Sequence, residues 1–169
     1  SDVFATMVTR NGVIKRTVLS DFKNIHVGGI IAIGVKDGDR LVRAKLSDGK
    51  SEVFICSKEA KCIRFKEGEV RVMGRTARGV AGMNLKGGDE VVSMEILPAD
   101  QEFEILTVTS AGYGKRTPIQ EYRAQSRGGM GIISMRFGSK GGKVIGCSRV
   151  YEGDELMMVS TQGQMIRVK

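Results

Sequence analysis

The sequence predicts an all-β fold built from propeller-like blades. Three observations predict it: hairpin signals recur along the chain, they recur about every 50 residues, and no stretch sustains a 3.6-residue apolar period. The first hairpin signal is "VFATMVTRNGVIKRT", Val3 to Thr17, where Asn11-Gly12 separates two β-rich runs. "FEILTVTSAGYGKRT" (Phe103 to Thr117) and "LMMVSTQGQMIRV" (Leu156 to Val168) have the same shape. "EVFICSKEAKCIRF" (Glu52 to Phe65) is a fourth copy that lacks the turn glycine.

The four hairpins mark an internal repeat. Their last arginines fall at Arg16, Arg64, Arg116 and Arg167, in steps of 48, 52 and 51 residues. An apolar or aromatic residue follows each of the first three, at Phe22, Val70 and Tyr122, and then a glycine, read as Gly29, Gly79 and Gly129. Gly38-Asp39 and Gly88-Asp89 come about ten residues later. Gly153-Asp154 is read as the third copy, displaced by an insertion around "FGSKGGKVIGC". These anchors divide the chain into units 1–51, 52–102, 103–155 and a truncated 156–169. Four short strands per unit at this period describe propeller blades, an incomplete set of three to four. A single blade cannot bury both its faces, so the units stack.

Composition narrows the function. The chain has 169 residues, 27 Lys and Arg against 19 Asp and Glu, and a net charge of +8. The excess is localised: Gly112 to Arg149 holds eight basic residues and one acid, Glu121. A solvated face normally mixes signs, so this stretch points to an anionic partner. No apolar run approaches the roughly 20 residues of a membrane span, and no signal peptide is evident. The three cysteines, Cys56, Cys62 and Cys147, make an odd number that fits a reducing cytoplasm.

At "GYGKRTPIQEYRAQSRGGMG" (Gly112 to Gly131) the sequence resembles a blade of the C-terminal domain of the A subunit of bacterial DNA gyrase. Blades of that family read G-x-x-K-R, a short apolar turn, then Tyr-Arg. The family marker is a box, Gln-basic-Arg-Gly-Gly-Lys-Gly. Here Gln125-Ser126-Arg127-Gly128-Gly129-Met130-Gly131 matches it except at Ser126 and Met130, which replace its basic residues. "VFATMVTRNGVIKRTVLSDF" and the stretch from Lys61 to Leu97 also resemble later blades of that domain. The resemblance implies a β-pinwheel, a propeller whose neighbouring blades exchange strands, with double-stranded DNA wrapped on its outer rim. It implies a larger cytoplasmic, nucleoid-associated enzyme, a heterotetramer of two kinds of chain that sets the sign of supercoiling. The cleaving Tyr, ATP and Mg belong to its other domains, so no cofactor is expected in this chain. The corresponding domain of topoisomerase IV is the near alternative, and a propeller scaffold for protein partners the distant one.

The expected DNA contacts are Lys15, Arg75, Arg78, Lys115, Arg116, Arg123, Arg127, Arg136, Lys140 and Lys143, with Gly128 and Gly129 letting backbone N–H groups approach a phosphate. The recurring arginine supports two roles: contact with DNA, or an ion pair with a blade aspartate such as Asp89. No recognition helix is evident and aromatics are few, so the readout is of backbone. Catalysis finds little support. His26 is the only histidine and sits beside Gly28-Gly29. Cys56 and Cys62 share a hairpin and lack the further Cys or His of a zinc site. "GSKGGK" lacks the Lys-Ser/Thr of a P-loop, and no metal site is expected.

Overall fold

The computed structural model describes residues 2–137 and 141–169. Strands β1 (Phe4–Thr9) and β2 (Val13–Val18) form the first hairpin, and β3 (Leu41–Ser47) pairs on the other side of β1. β4 (Glu52–Ser57), β5 (Lys61–Lys66) and β7 (Val91–Leu97) repeat that arrangement, with the two-residue β6 (Val80–Ala81) between β5 and β7 in the chain. β8 (Glu104–Thr109), β9 (Gly114–Pro118) and β11 (Val144–Val150) repeat it again, with the two-residue β10 (Ile132–Ile133) before β11. β12 (Leu156–Val159) and β13 (Met165–Val168) close the chain as a fourth hairpin. The described residues contain no α-helix, only 3₁₀ turns at Leu19–Phe22, Glu67–Glu69 and Ile119–Glu121. All four expected hairpins form. Gly12, Gly112 and Gly163 hold their turns at φ between 80° and 85°, and Ala60 adopts φ 61° where the second copy lacks the glycine.

The strand order is β3-β1-β2-β6 in the first sheet and β7-β4-β5-β10 in the second. β6 belongs to the second repeat and β10 to the third, so the outer strand of each sheet comes from the next repeat. This is the strand exchange of a β-pinwheel. The third sheet is β11-β8-β9, with no described fourth strand on β9.

The second sheet is buried on both faces. Along β4, Val53 and Ile55 enter a core with Val8, Ile14 and Met94, while Phe54 and Cys56 enter another with Ile105, Tyr122 and Cys147. Strand alternation places successive side chains on opposite faces, and both faces here are dry. The run "VFIC" is therefore continuously apolar.

Pairing corrects two repeat anchors. Ile14 pairs Val80 and Cys62 pairs Ile132, so the counterpart of Gly79 is Gly131 rather than Gly129. Both have positive φ, 95° and 71°, and pass close under the preceding hairpin. A Cβ would lie 2.4 Å from Ile14 O at Gly79 and 2.5 Å from Cys62 O at Gly131. The third Gly-Asp is also misplaced by sequence. Asp89 caps the β4–β5 turn, accepting from Glu59 N (3.0 Å), Glu90 N (2.8 Å) and Ser57 Oγ (2.6 Å). The third repeat has Gly142 there, because Lys58 N–H bonds Glu90 O as Ser110 N–H bonds Lys143 O. Gly153-Asp154 lies instead between β11 and β12, where Asp154 accepts from Tyr151 N at 2.8 Å.

Alanine at Gly79 or Gly131 combines left-handed strain with a backbone clash, and each is expected to lower stability by about 2–4 kcal/mol. Gly28→Ala, at ordinary φ with nothing within 4 Å, is expected to be neutral or slightly stabilising. Denaturant midpoints of the three variants check the contrast.

Candidate nucleic-acid interface

The recurring arginine is structural where a following repeat is present. On β2 and β5 it shares a face with Ile14 or Cys62, toward the next sheet. Arg16 is 8% exposed; its Nε donates to Val70 O at 3.0 Å, and its guanidinium lies 4.6 Å from the Phe4 ring centroid. Arg64 Nε pairs Glu52 Oε2 at 2.5 Å, and its Nη1 donates to Ile119 O and Tyr122 O, both at 3.1 Å. Val70 and Tyr122 are the buried anchors of the following repeat. Asp89 is thus not the partner of Arg64, because it is engaged in the turn cap. The partner position is Phe4, Glu52, Glu104 and Glu155, which recurs in the same 48, 52 and 51 steps as the arginine. Arg116 pairs Glu104 at 3.3 Å and Arg167 pairs Glu155, but both arginine side chains are about two-thirds exposed (63% and 66%).

After each anchor the chain runs along the preceding hairpin. Val72 and Ala124 form parallel bridges to Arg16 and Arg64, and Met73 N–H and Gln125 N–H bond the carbonyls of the same arginines. Counting back from Gly79 and Gly131, Arg75 and Arg127 occupy one repeat position, and they make the same bond. Arg75 Nη1 donates to Ile31 O at 3.0 Å and Arg127 Nη1 to Ala81 O at 2.5 Å. Arg127 Nε also bonds Glu69 O at 3.1 Å, and its N–H bonds Glu69 Oε2 at 2.9 Å. The box arginine therefore braces the exchanged segment of the preceding repeat.

The box glycines serve the same junction. Gly128 N–H bonds Gly82 O at 2.8 Å and Gly129 N–H bonds Ser126 O at 3.3 Å. Those donors are engaged within the protein, which corrects the expectation that they face a phosphate.

Lys15 is a second correction. It is 0% exposed, with Nζ donating to Ala32 O and Arg75 O at 2.5 Å and to Gly74 O at 3.2 Å. Burial, and then the Arg75 charge, set its pKa below the ordinary lysine value. The loop of the following repeat covers it. Its counterpart Lys115 is exposed, and among the described residues its Nζ donates to Ser134 O at 3.4 Å. Lys143 is exposed and pairs Glu59 at 2.7 Å. Lys140 lies outside the described residues.

Arg71, Arg78, Arg123 and Arg136 remain exposed with no acidic partner among the described residues. Arg71 and Arg123 form the instructive pair. Each directly follows a buried anchor, and they stand 52 residues apart, the step from Arg64 to Arg116. Burying Val70 or Tyr122 turns the next side chain outward. In the sequence Arg71 shares a second basic loop with Arg75 and Arg78, offset by Glu67 and Glu69, but it lies outside the expected contact set. Its spacing from Arg123 is the signal that finds it.

Comparison with known proteins agrees with this architecture. The chain matches the family described as "DNA gyrase C-terminal domain, beta-propeller" over residues 6–48, 51–98, 104–150 and 154–169. It is 43% identical over 164 residues to the DNA gyrase A subunit of Haloquadratum walsbyi, 44% over 163 residues to that of Salmonella typhimurium, and 40% over 167 residues to that of Staphylococcus aureus. These alignments cover 96–99% of the chain but only 18–19% of the relatives' length. Among solved structures it resembles a C-terminal domain of DNA topoisomerase IV (TM-score 0.92, 27% identity, all of this chain and 53% of that one). It also resembles a DNA gyrase A C-terminal domain (TM-score 0.88, 30% identity, 98% of this chain and 55% of that one). Among the described residues no helix is long and apolar enough to cross a membrane.

The two kinds of arginine separate by stability. Arg64→Ala is expected to cost about 2–4 kcal/mol, because it removes two carbonyl bonds and strands Glu52. Arg127→Ala is expected to cost about 1–2 kcal/mol. Arg71→Ala and Arg123→Ala are expected to stay within about 0.5 kcal/mol of the parent. Chemical denaturation of the four variants measures the order.

Proposed function

The chain belongs to the DNA gyrase C-terminal domain, beta-propeller family, and from that membership we propose that it is the DNA-binding and DNA-wrapping module of a gyrase A chain. One observation carries the reading. Consecutive repeats present an arginine at the same position, Arg71 and Arg123, exposed and free of acidic partners among the described residues, just outside a buried anchor. Arg78, Lys115 and Arg136 add charge from neighbouring segments. Such a surface suits phosphates, which position a duplex without reading its sequence.

Repetition suits the wrap. Consecutive repeats add an outward arginine, Arg71 and Arg123, at one repeat spacing, so successive phosphate contacts would follow the curve set by the blades. Bending 20–30 base pairs through 40–90° costs about 1–6 kcal/mol, and phosphate contacts offset it. In the whole enzyme a wrap of fixed hand would set the sign of supercoiling. Strand cleavage would lie on the rest of the gyrase A chain, and ATP hydrolysis, with its Mg, on the gyrase B chain. This chain then acts by binding and shaping DNA and performs no chemistry itself. The TM-score of 0.92 to a topoisomerase IV domain supports a second reading, in which the same surface serves that enzyme. The 40–44% identities to gyrase A chains favour the first.

If about six phosphates are neutralised, log K should fall against log[salt] with a slope of roughly −5 on mixed-sequence duplex DNA. Arg71→Ala and Arg123→Ala should each flatten that slope by about 1. A salt-independent affinity, or a strong preference for one duplex sequence, would contradict the proposal.

A further inference from the structure

The sequence offers Cys56 and Cys62 as an isolated pair. The fold adds a third sulfur from 85 residues further on. Cys56 and Cys62 sit opposite each other on β4 and β5, and Cys147 on β11 projects toward them from the third sheet. The Cys56 and Cys62 sulfurs are 3.0 Å apart, and all three Sγ atoms lie within 4.8 Å of one another. Cys56 and Cys62 are fully buried and Cys147 nearly so.

We propose that Cys56, Cys62 and Cys147 form a three-thiolate site for a divalent, borderline-soft cation of the zinc class, seated between the second and third sheets. The donor set selects that class. Three sulfurs converge without a carboxylate or imidazole, which disfavours hard ions such as Mg and Ca. Zn–S bonds of about 2.3 Å place tetrahedral sulfurs about 3.8 Å apart, so the three sulfurs, all within 4.8 Å of one another, are in range, and the Cys56 and Cys62 sulfurs, now 3.0 Å apart, would part by about 0.8 Å on binding. Thr107 Oγ1 lies 3.5 Å from Cys147 Sγ. A divalent ion with three thiolates leaves one net negative charge in the core, where a monovalent ion leaves two.

One feature of the surroundings fits a bound cation. The Tyr122 hydroxyl, in the same buried cluster as Cys62, has no hydrogen-bond partner among the described residues. A metal-held thiolate offers that hydroxyl an acceptor. Binding requires no redox step: each thiol that coordinates releases its proton to solvent, and the ion gains the sulfur lone pairs. Because its ligands come from two sheets, the ion would fasten one blade to the next.

The reduced, metal-free 169-residue chain is titrated with Zn²⁺, and with Cd²⁺ as a spectroscopic probe of thiolate coordination. The expected result is one ion per chain by native mass spectrometry, with all three thiols protected from alkylation. The melting temperature should rise by about 5–10 °C when free metal is about a hundred times Kd. X-ray absorption of the Zn-loaded parent should count three sulfur neighbours, a readout that needs no variant. Cys147→Ser and Cys56→Ser, checked for β-sheet content by circular dichroism, should each weaken uptake by roughly a hundredfold or more, beyond the 10–100-fold typical of losing an outer-shell partner. No uptake by the parent would overturn the site, as would fewer than three sulfur neighbours. So would uptake that survives both substitutions, or oxidation of Cys56 and Cys62 to a disulfide in a chain that takes up no metal when reduced again.

Discussion

Strand exchange is the constraint on which the rest depends. Each complete sheet borrows its outer strand from the next repeat, and that strand is only two residues long: Val80–Ala81 in the first sheet and Ile132–Ile133 in the second. So short a strand cannot hold itself in place. The chain adds fasteners on both sides of it. Arg16 and Arg64 reach forward to the carbonyls of Val70 and Tyr122, and Arg75 and Arg127 reach back to the carbonyls of Ile31 and Ala81. Between them Gly79 and Gly131 let the backbone cross close beneath the preceding hairpin. A guanidinium suits the task because its planar fork bonds several acceptors while its stem packs against apolar neighbours.

This arrangement separates two groups of cations at the blade junctions. Lys15, Arg16, Arg64, Arg75 and Arg127 are bound to the protein's own carbonyls. Arg71, Arg78, Arg123 and Arg136 are left outward and without acidic partners among the described residues. The net charge of +8 therefore says little about binding until the cations are sorted. The buried anchors perform the sorting: once Val70 and Tyr122 turn in, Arg71 and Arg123 must turn out. Blade assembly and the charged surface thus follow from one local pattern, an inward anchor followed by an outward arginine.

Much of this was legible in the sequence, and the gaps have physical causes. The four hairpins were readable because their turns use local chemistry, Asn-Gly or a glycine at the left-handed position, and even the copy with Ala60 kept its flanking β-rich runs. The repeat was readable because the arginine and its carbonyl acceptors are needed wherever one blade meets the next. The exchanged strands were not, since two residues carry no period. The two adjacent glycines of the box hid the alignment of Gly131 with Gly79, and extra residues before β11 hid the exchange of the capping Asp for Gly142. Lys15 could not be judged from strand alternation, because a loop of the following repeat buries it. The engagement of the Gly128 and Gly129 N–H groups depends on acceptors that the folded junction supplies. Cys147 joins Cys56 and Cys62 only through the stacking of two sheets, which spacing along the chain does not reveal.

The exchanged segments are expected to open only together with the sheets they complete. Native-state hydrogen exchange tests this most directly at Met73 and Gln125, whose N–H groups bond the Arg16 and Arg64 carbonyls. Their protection should match that of the central amides of β1 and β4 and share their denaturant dependence, the mark of one cooperative unit. Fast exchange at Met73 and Gln125 while the β1 and β4 amides stay protected would contradict it, because the borrowed strands would then be loose additions to sheets that stand without them.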